Sequence, residues 1–123
     1  MRGTVLLLAS HPSPIVDVDL LRANGLTVYH SQELTHALEQ FEHIAPDVVV
    51  VATHDVASVK SLRNEVDYAT SIIVASDDHS RDAARSSGAD SFLVEDAPPT
   101  DLIYEIHRAL ILRRSGRRLP WNS

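Results

Sequence analysis

Val48-Val49-Val50-Val51-Ala52 is the segment that most narrows the folds open to this chain. Four β-branched residues in succession favour extended backbone over helix. The run has no polar alternation, so neither of its faces is suited to water. A strand of that kind belongs in the middle of a sheet covered on both sides. Thr4-Val5-Leu6-Leu7-Leu8-Ala9 and Ser71-Ile72-Ile73-Val74-Ala75-Ser76 repeat the pattern. Leu26-Thr27-Val28-Tyr29-His30 alternates instead, as a strand at a sheet edge does, and Ser91-Phe92-Leu93-Val94 is a fifth, shorter strand.

Helical signals fill the intervals. Pro14 to Ala23 is weakly helical and closes at Asn24-Gly25. Ser31 is placed to cap the next helix, with Glu33 in its first turn. Leu34, Ala37, Leu38, Phe41 and Ile44 share one stripe of that helix. Val56, Val59, Leu62 and Val66 mark a third helix, and Asp77-Asp78-His79-Ser80 opens a short polar one ending at Ser87-Gly88. Pro98-Pro99-Thr100-Asp101 opens the last, where Pro99 suits the first helical position. Its core face is Leu102, Ile103, Ile106, Ala109 and Leu110, while Tyr104, Ile111 and Leu112 lie off that stripe and mark a contact surface. Strict alternation of strand and helix implies parallel strands, right-handed crossovers and a three-layer doubly wound α/β sheet. The domain is expected over residues 1–114, with 115–123 a basic tail or the start of a linker.

A chain of 123 residues suits one domain. The absence of cysteine excludes a disulfide scaffold, a thiolate metal site and a cysteine nucleophile. No apolar run approaches the roughly 20 residues of a membrane span. The stretch after Arg2 stops at Ala9, too short for a signal-peptide core of about 7–15 residues. A cytoplasmic protein is therefore expected. Residues 1–107 hold six Lys/Arg and all 17 Asp/Glu, whereas 108–123 hold five Arg and no acid. The acidic body repels nucleic acid, and five Arg are few for a nucleic-acid footprint, so no direct nucleic-acid binding is expected. Those Arg suit a helix C-terminus, or else a contact with phosphate or an acidic partner.

The four glycines are scattered, with no phosphate-cradling loop, and neither Gly-x-Ser-x-Gly nor His-Glu-x-x-His occurs. No cofactor and no enzymatic activity are expected. The strand-end loops do carry His11, His54, Asp55, Asp77, Asp78, His79, Glu95 and Asp96. Such a set offers transition-metal ligands or an acid/base pair. No two histidines have a metal-ligand spacing within one element, so solvated loop residues are expected and no metal. Asp55 reads as a helix cap. His30, His36, His43 and His107 read as structural, although His36 and His43 share a helix face on which a pH sensor is conceivable.

In this order the elements resemble the receiver domain of bacterial two-component response regulators, over about residues 4–114. The most specific strings are Pro46-Asp47-Val48-Val49-Val50-Val51, Gly88-Ala89-Asp90-Ser91-Phe92-Leu93-Val94 and the last helix with its paired Arg. The resemblance implies a flavodoxin-like (βα)5 fold with strand order 2-1-3-4-5. It also implies phosphoryl transfer to an Asp ending the third strand. Around that Asp the family has a Mg²⁺-holding acid pair after the first strand, a Ser/Thr after the fourth and a Lys after the fifth. Here Ala9-Ser10 stand for the acid pair, Ala52 for the acceptor and Glu95 for the Lys; only Ser76 matches. A methyl group is no nucleophile, and Glu95 reverses the sign of the charge that would grip a phosphate. The expectation is a degenerate receiver, or pseudo-receiver, without phosphoryl chemistry or Mg²⁺. It would serve as a protein-interaction or dimerisation module in bacterial signalling or transcriptional regulation. Its partner would be another protein or a second copy, with a DNA-binding or ATPase output domain possible at its C-terminal end. In the family the hydroxyl and aromatic at Ser76 and Phe92 move together on switching, so Phe92 joins Tyr104, Ile111 and Leu112 as an interaction or switch candidate. The alternative is a small-ligand or metal-binding domain, or an enzyme, using the strand-end crevice.

Overall fold

The chain forms β1 (Gly3–Ala9), α1 (Val18–Ala23), β2 (Leu26–Ser31), α2 (Leu34–Ile44), β3 (Val48–Ala52), α3 (Ser58–Glu65), β4 (Ser71–Ser76), a 3₁₀ turn (Asp78–Ser80), α4 (Arg81–Ser86), β5 (Ser91–Val94) and α5 (Pro99–Arg114). These come from a computed structural model that describes residues 2–9, 12–53, 55–56, 58–67 and 69–114. The strands make one parallel sheet in the order β2-β1-β3-β4-β5. The valine run is its middle strand, with no residue more than 1% exposed.

Period-two geometry divides each strand between two cores. Val5, Leu7, Val48, Val50 and Ile73 face Leu21 of α1 and Leu102, Ile106 and Ala109 of α5. Leu6, Leu8, Val49, Val51, Ile72 and Val74 face Ala37 of α2, Val59 and Leu62 of α3 and Ala84 of α4. Both faces are thus covered, as the unbroken apolarity requires. β2 is an edge strand, burying Leu26, Val28 and Ser31 and exposing Thr27, Tyr29 and His30. Arg22 Nη2 donates to the Val28 carbonyl at 3.2 Å, which occupies one acceptor of that edge.

Some boundaries differ from the sequence expectation. The first helix begins at Val18 rather than Pro14, because Val16 N–H turns back to the Ser13 carbonyl and Asp17 then caps the helix by accepting from Leu20 N–H. Ser31 does not cap α2. It ends β2, and its hydroxyl donates to the Glu33 carbonyl (3.0 Å) and sits 3.1 Å from His36 Nδ1. In the third helix, Val56 and Val66 flank α3 rather than belonging to it.

The N-terminal edge of the sheet is held by a polar latch. Thr4 and Asp47 exchange two hydrogen bonds of 2.9 Å, backbone to backbone and backbone to carboxylate. Arg113, near the end of α5, reaches Asp47 Oδ1 at 3.3 Å and Thr70 Oγ1 at 3.4 Å. Asp90, 5% exposed, accepts from Ile72 N–H (2.8 Å) and from Arg63 Nη1 (2.9 Å). Arg63 Nη2 also donates to the carbonyls of Asp67 and Thr70. Gly88 makes room for this. Its φ is +100°, and a Cβ there would lie 2.6 Å from Arg63 Cγ.

Candidate functional site

Five parallel strands place their C-terminal ends along one edge, where ligands of open α/β sheets bind. Ala9, Ala52 and Ala75 stand side by side there across β1, β3 and β4. They are 8%, 1% and 0% exposed and pack into the α1/α5 core. Three methyl groups on neighbouring strands give this part of the edge no nucleophile, acid or base. Ser76, one residue further along β4, is fully buried. Its hydroxyl donates to Ser80 Oγ at 3.4 Å, which in turn donates to Asp77 Oδ1 at 3.0 Å. The Ser76 carbonyl accepts from Glu95 N–H at 2.8 Å, which sets Glu95 at the tip of β5. The fold therefore brings Ala9, Ala52, Ser76 and Glu95 to one edge. Ser10, His11 and His54 lie outside the described residues.

Asp77 and Asp55 take part in local turns. Asp77 caps the 3₁₀ turn through His79 N–H at 3.0 Å. Asp78 and His79 approach to 3.5 Å with side chains 72% and 92% exposed, a solvent-screened pair that stabilises little. The Asp55 carbonyl accepts from Ser58 N–H and Oγ and opens α3, while Asp55 N–H donates to Thr53 Oγ1. Among the described residues no group of three or more His, Cys, Asp or Glu is placed to hold a metal ion.

Two clefts flank the row of alanines. One, of about 240 Å³, lies on the α2/α3 side among Leu8, Leu34, Ala52, Thr53, Asp55 and Ser58. The other, of about 260 Å³, lies on the α1 side among Leu7, Ala9, Ser13, Val16, Val18 and His30. Gln32 lines both. His30 and Gln32 were not singled out from the sequence as members of this edge. The signal was available, because a parallel partner of β1 must end at the same edge as β1.

No protein-family model and no curated protein sequence matches this chain. Solved structures do. A protein of Chloroflexus aurantiacus J-10-fl assigned to the response regulators superposes with a TM-score of 0.78 at 20% identity, over 90% of this chain and 99% of that one. A response regulator receiver domain protein of Clostridium thermocellum gives 0.77 at 17% identity, over 91% and 97%. NtrX of Brucella abortus gives 0.76 at 17% identity, over 94% of this chain but 28% of NtrX. The chain has the receiver fold.

The outer side of α5 carries Tyr104, 63% exposed, and Ile111, 49% exposed. Arg108 stacks over the Tyr104 ring at 6.0 Å and pairs with Glu105 at 2.9 Å, and Glu105 also accepts from Ser91 Oγ of β5. Two other contact candidates are corrected. Phe92 is 8% exposed, because it points to the same side of the sheet as its register partner Val74 and packs in the α2/α3/α4 core. Leu112 follows Ala109 by three residues, shares its side of α5 and packs against the α1/α5 core.

Proposed function

We propose that this chain is a receiver-fold module of bacterial signal transduction or transcriptional regulation that acts by protein contact, without aspartyl phosphorylation and without catalysis of its own. The observation that carries the reading is Ala52. It ends the middle strand, is 1% exposed and sits between Ala9 and Ala75. Phosphoryl transfer to this edge would need a nucleophile at Ala52 and positive charge around it. At the strand tips the side chains are methyl groups, the engaged Ser76 hydroxyl and the carboxylate of Glu95; Thr53 and Asp55 border the cleft beside Ala52, and the lining described there includes no Lys or Arg. Among the described residues no helix is long and apolar enough to cross a membrane.

The contact face is the outer side of α5 around Tyr104 and Ile111, with Arg108 and Glu105 as its charged rim. The partner is a second copy or another protein of the same signalling path. An output domain on the same polypeptide fits the match to 28% of the longer NtrX, while the match over 97% of the Clostridium thermocellum chain fits a stand-alone module equally.

Tyr104→Glu tests this reading. Tyr104 lies outside both cores, so the variant keeps its folding stability within about 0.5 kcal/mol while losing association. Association is read as mass by light scattering over a concentration series and as retention of the native partner on the immobilised domain. The same association is expected with and without acetyl phosphate and Mg²⁺. Association that survives Tyr104→Glu, or that depends on the phosphodonor, contradicts the proposal.

A further inference from the structure

We propose that the cleft between the end of β1, the turn preceding α1 and the end of β2 binds a small, uncharged, mostly apolar molecule of one or two rings. This goes beyond the protein-contact reading and does not depend on it, because the cleft lies towards the opposite edge of the sheet from β5 and does not include Tyr104 or Ile111.

The size is set by the cleft. Its volume is about 260 Å³, compared with roughly 150 Å³ for an apolar protein cavity that takes up benzene. The chemistry is set by the walls. Leu7, Ala9, Val16 and Val18 supply apolar surface, and among the described lining residues there is no Asp, Glu, Lys or Arg. A charged ligand would give up its hydration here without an opposite charge to replace it. An uncharged ring gives up little and gains the apolar walls.

Polar groups at the rim supply orientation. His30 Nε2 lies 3.2 Å from the Ala9 carbonyl. A carbonyl only accepts, so Nε2 carries a proton and donates it. The same bond ties the end of β2 to the end of β1, so the two walls are already held in place before anything binds. Ser13 borders the cleft, is 9% exposed, and its Oγ is buried with no hydrogen-bond partner. An unsatisfied buried hydroxyl is costly, and a ligand group within its reach recovers that cost. The Oγ is enclosed as it stands, so a ligand in the cleft meets it after the side chain turns about its Cα–Cβ bond. The ligand therefore has an apolar ring body with one or two neutral hydrogen-bonding groups, as a phenol or an indole has.

The test is a titration of the ¹⁵N-labelled chain with indole and with phenol, followed by amide chemical shifts, with benzoate and benzylammonium as charged counterparts. The neutral probes are expected to give saturable shifts confined to residues 7–9, 13–18 and 30–32. The charged probes are expected to bind about tenfold more weakly or not at all. Val16→Trp fills the cleft and abolishes the shifts; Val18→Phe does the same and serves if the first variant folds poorly. Ser13→Ala keeps the cleft and weakens phenol by a factor of several. Absence of saturable shifts with both neutral probes overturns the proposal. So do shifts centred elsewhere, equal binding of benzoate, or indole binding that persists in a folded, cleft-filled variant.

Discussion

Asp90→Ala is expected to cost about 3 kcal/mol of folding stability, which for a domain of this size lowers Tm by on the order of 10 °C. One carboxylate oxygen accepts both Ile72 N–H and Arg63 Nη1, and the residue is 5% exposed. Its removal leaves a backbone donor at the start of a central strand without that acceptor. It also takes the counter-charge from a guanidinium that is itself only 14% exposed. Arg63 keeps its two carbonyl acceptors at Asp67 and Thr70, which bounds the loss. Asp90→Asn retains an acceptor for Ile72 N–H and should fall between wild type and alanine. Urea unfolding with a constant m-value measures this directly. A change below about 1 kcal/mol for the alanine variant would mean that the latch at this edge is not what holds β4, β5 and α3 together.

The position of that latch explains what the sequence resemblance was made of. Pro46-Asp47 and Gly88-Ala89-Asp90 supply groups to the N-terminal edge of the sheet, opposite the candidate site. Asp47 joins β1 to α5 through Thr4 and Arg113, and Asp90 joins β4 to α3. These strings serve folding rather than chemistry, at the edge of the sheet away from Ala9, Ala52 and Ala75.

The sheet was legible because a strand buried on both faces has no alternative pattern, and β1, β3 and β4 read directly from unbroken apolar runs. Helix starts were less legible, because one side chain can serve several turn geometries. The Ser31 hydroxyl bridges the end of β2 to α2 instead of capping a helix, and Asp17, not Pro14, starts α1. Phe92 and Leu112 were misplaced because a lone aromatic in a short strand and an aliphatic near a helix end do not reveal which side faces a core. The cleft beside His30 is a product of tertiary packing: its walls come from the end of β1 (Leu7, Ala9), the segment before α1 (Pro12, Ser13, Val16) with Val18, and the end of β2 (His30, Gln32).

Ala52→Asp is expected to destabilise the domain by about 3 kcal/mol without creating an efficient phosphoacceptor. Ala52 packs in the α1/α5 core between Ala9 and Ala75, so a carboxylate there leaves water for a site built of methyl groups. Phosphorylation needs more than the nucleophile. A divalent ion must screen the incoming phosphate, and a cation must hold it afterwards. Ala9 offers no ligand at the tip of β1, and Glu95 places negative charge at the tip of β5. The variant should unfold at lower denaturant and remain unlabelled by acetyl phosphate with Mg²⁺ under conditions that label an ordinary receiver. A stable variant that labels rapidly would show that this edge still forms a phosphoryl site.

The most direct test of the account is the intact mass of the unaltered chain after incubation with acetyl phosphate and Mg²⁺, measured before any phosphoaspartate can hydrolyse. The predicted result is an unchanged mass. A gain of one phosphoryl group, mapped to Asp55 or to any other carboxylate of the strand-end loops, would contradict it.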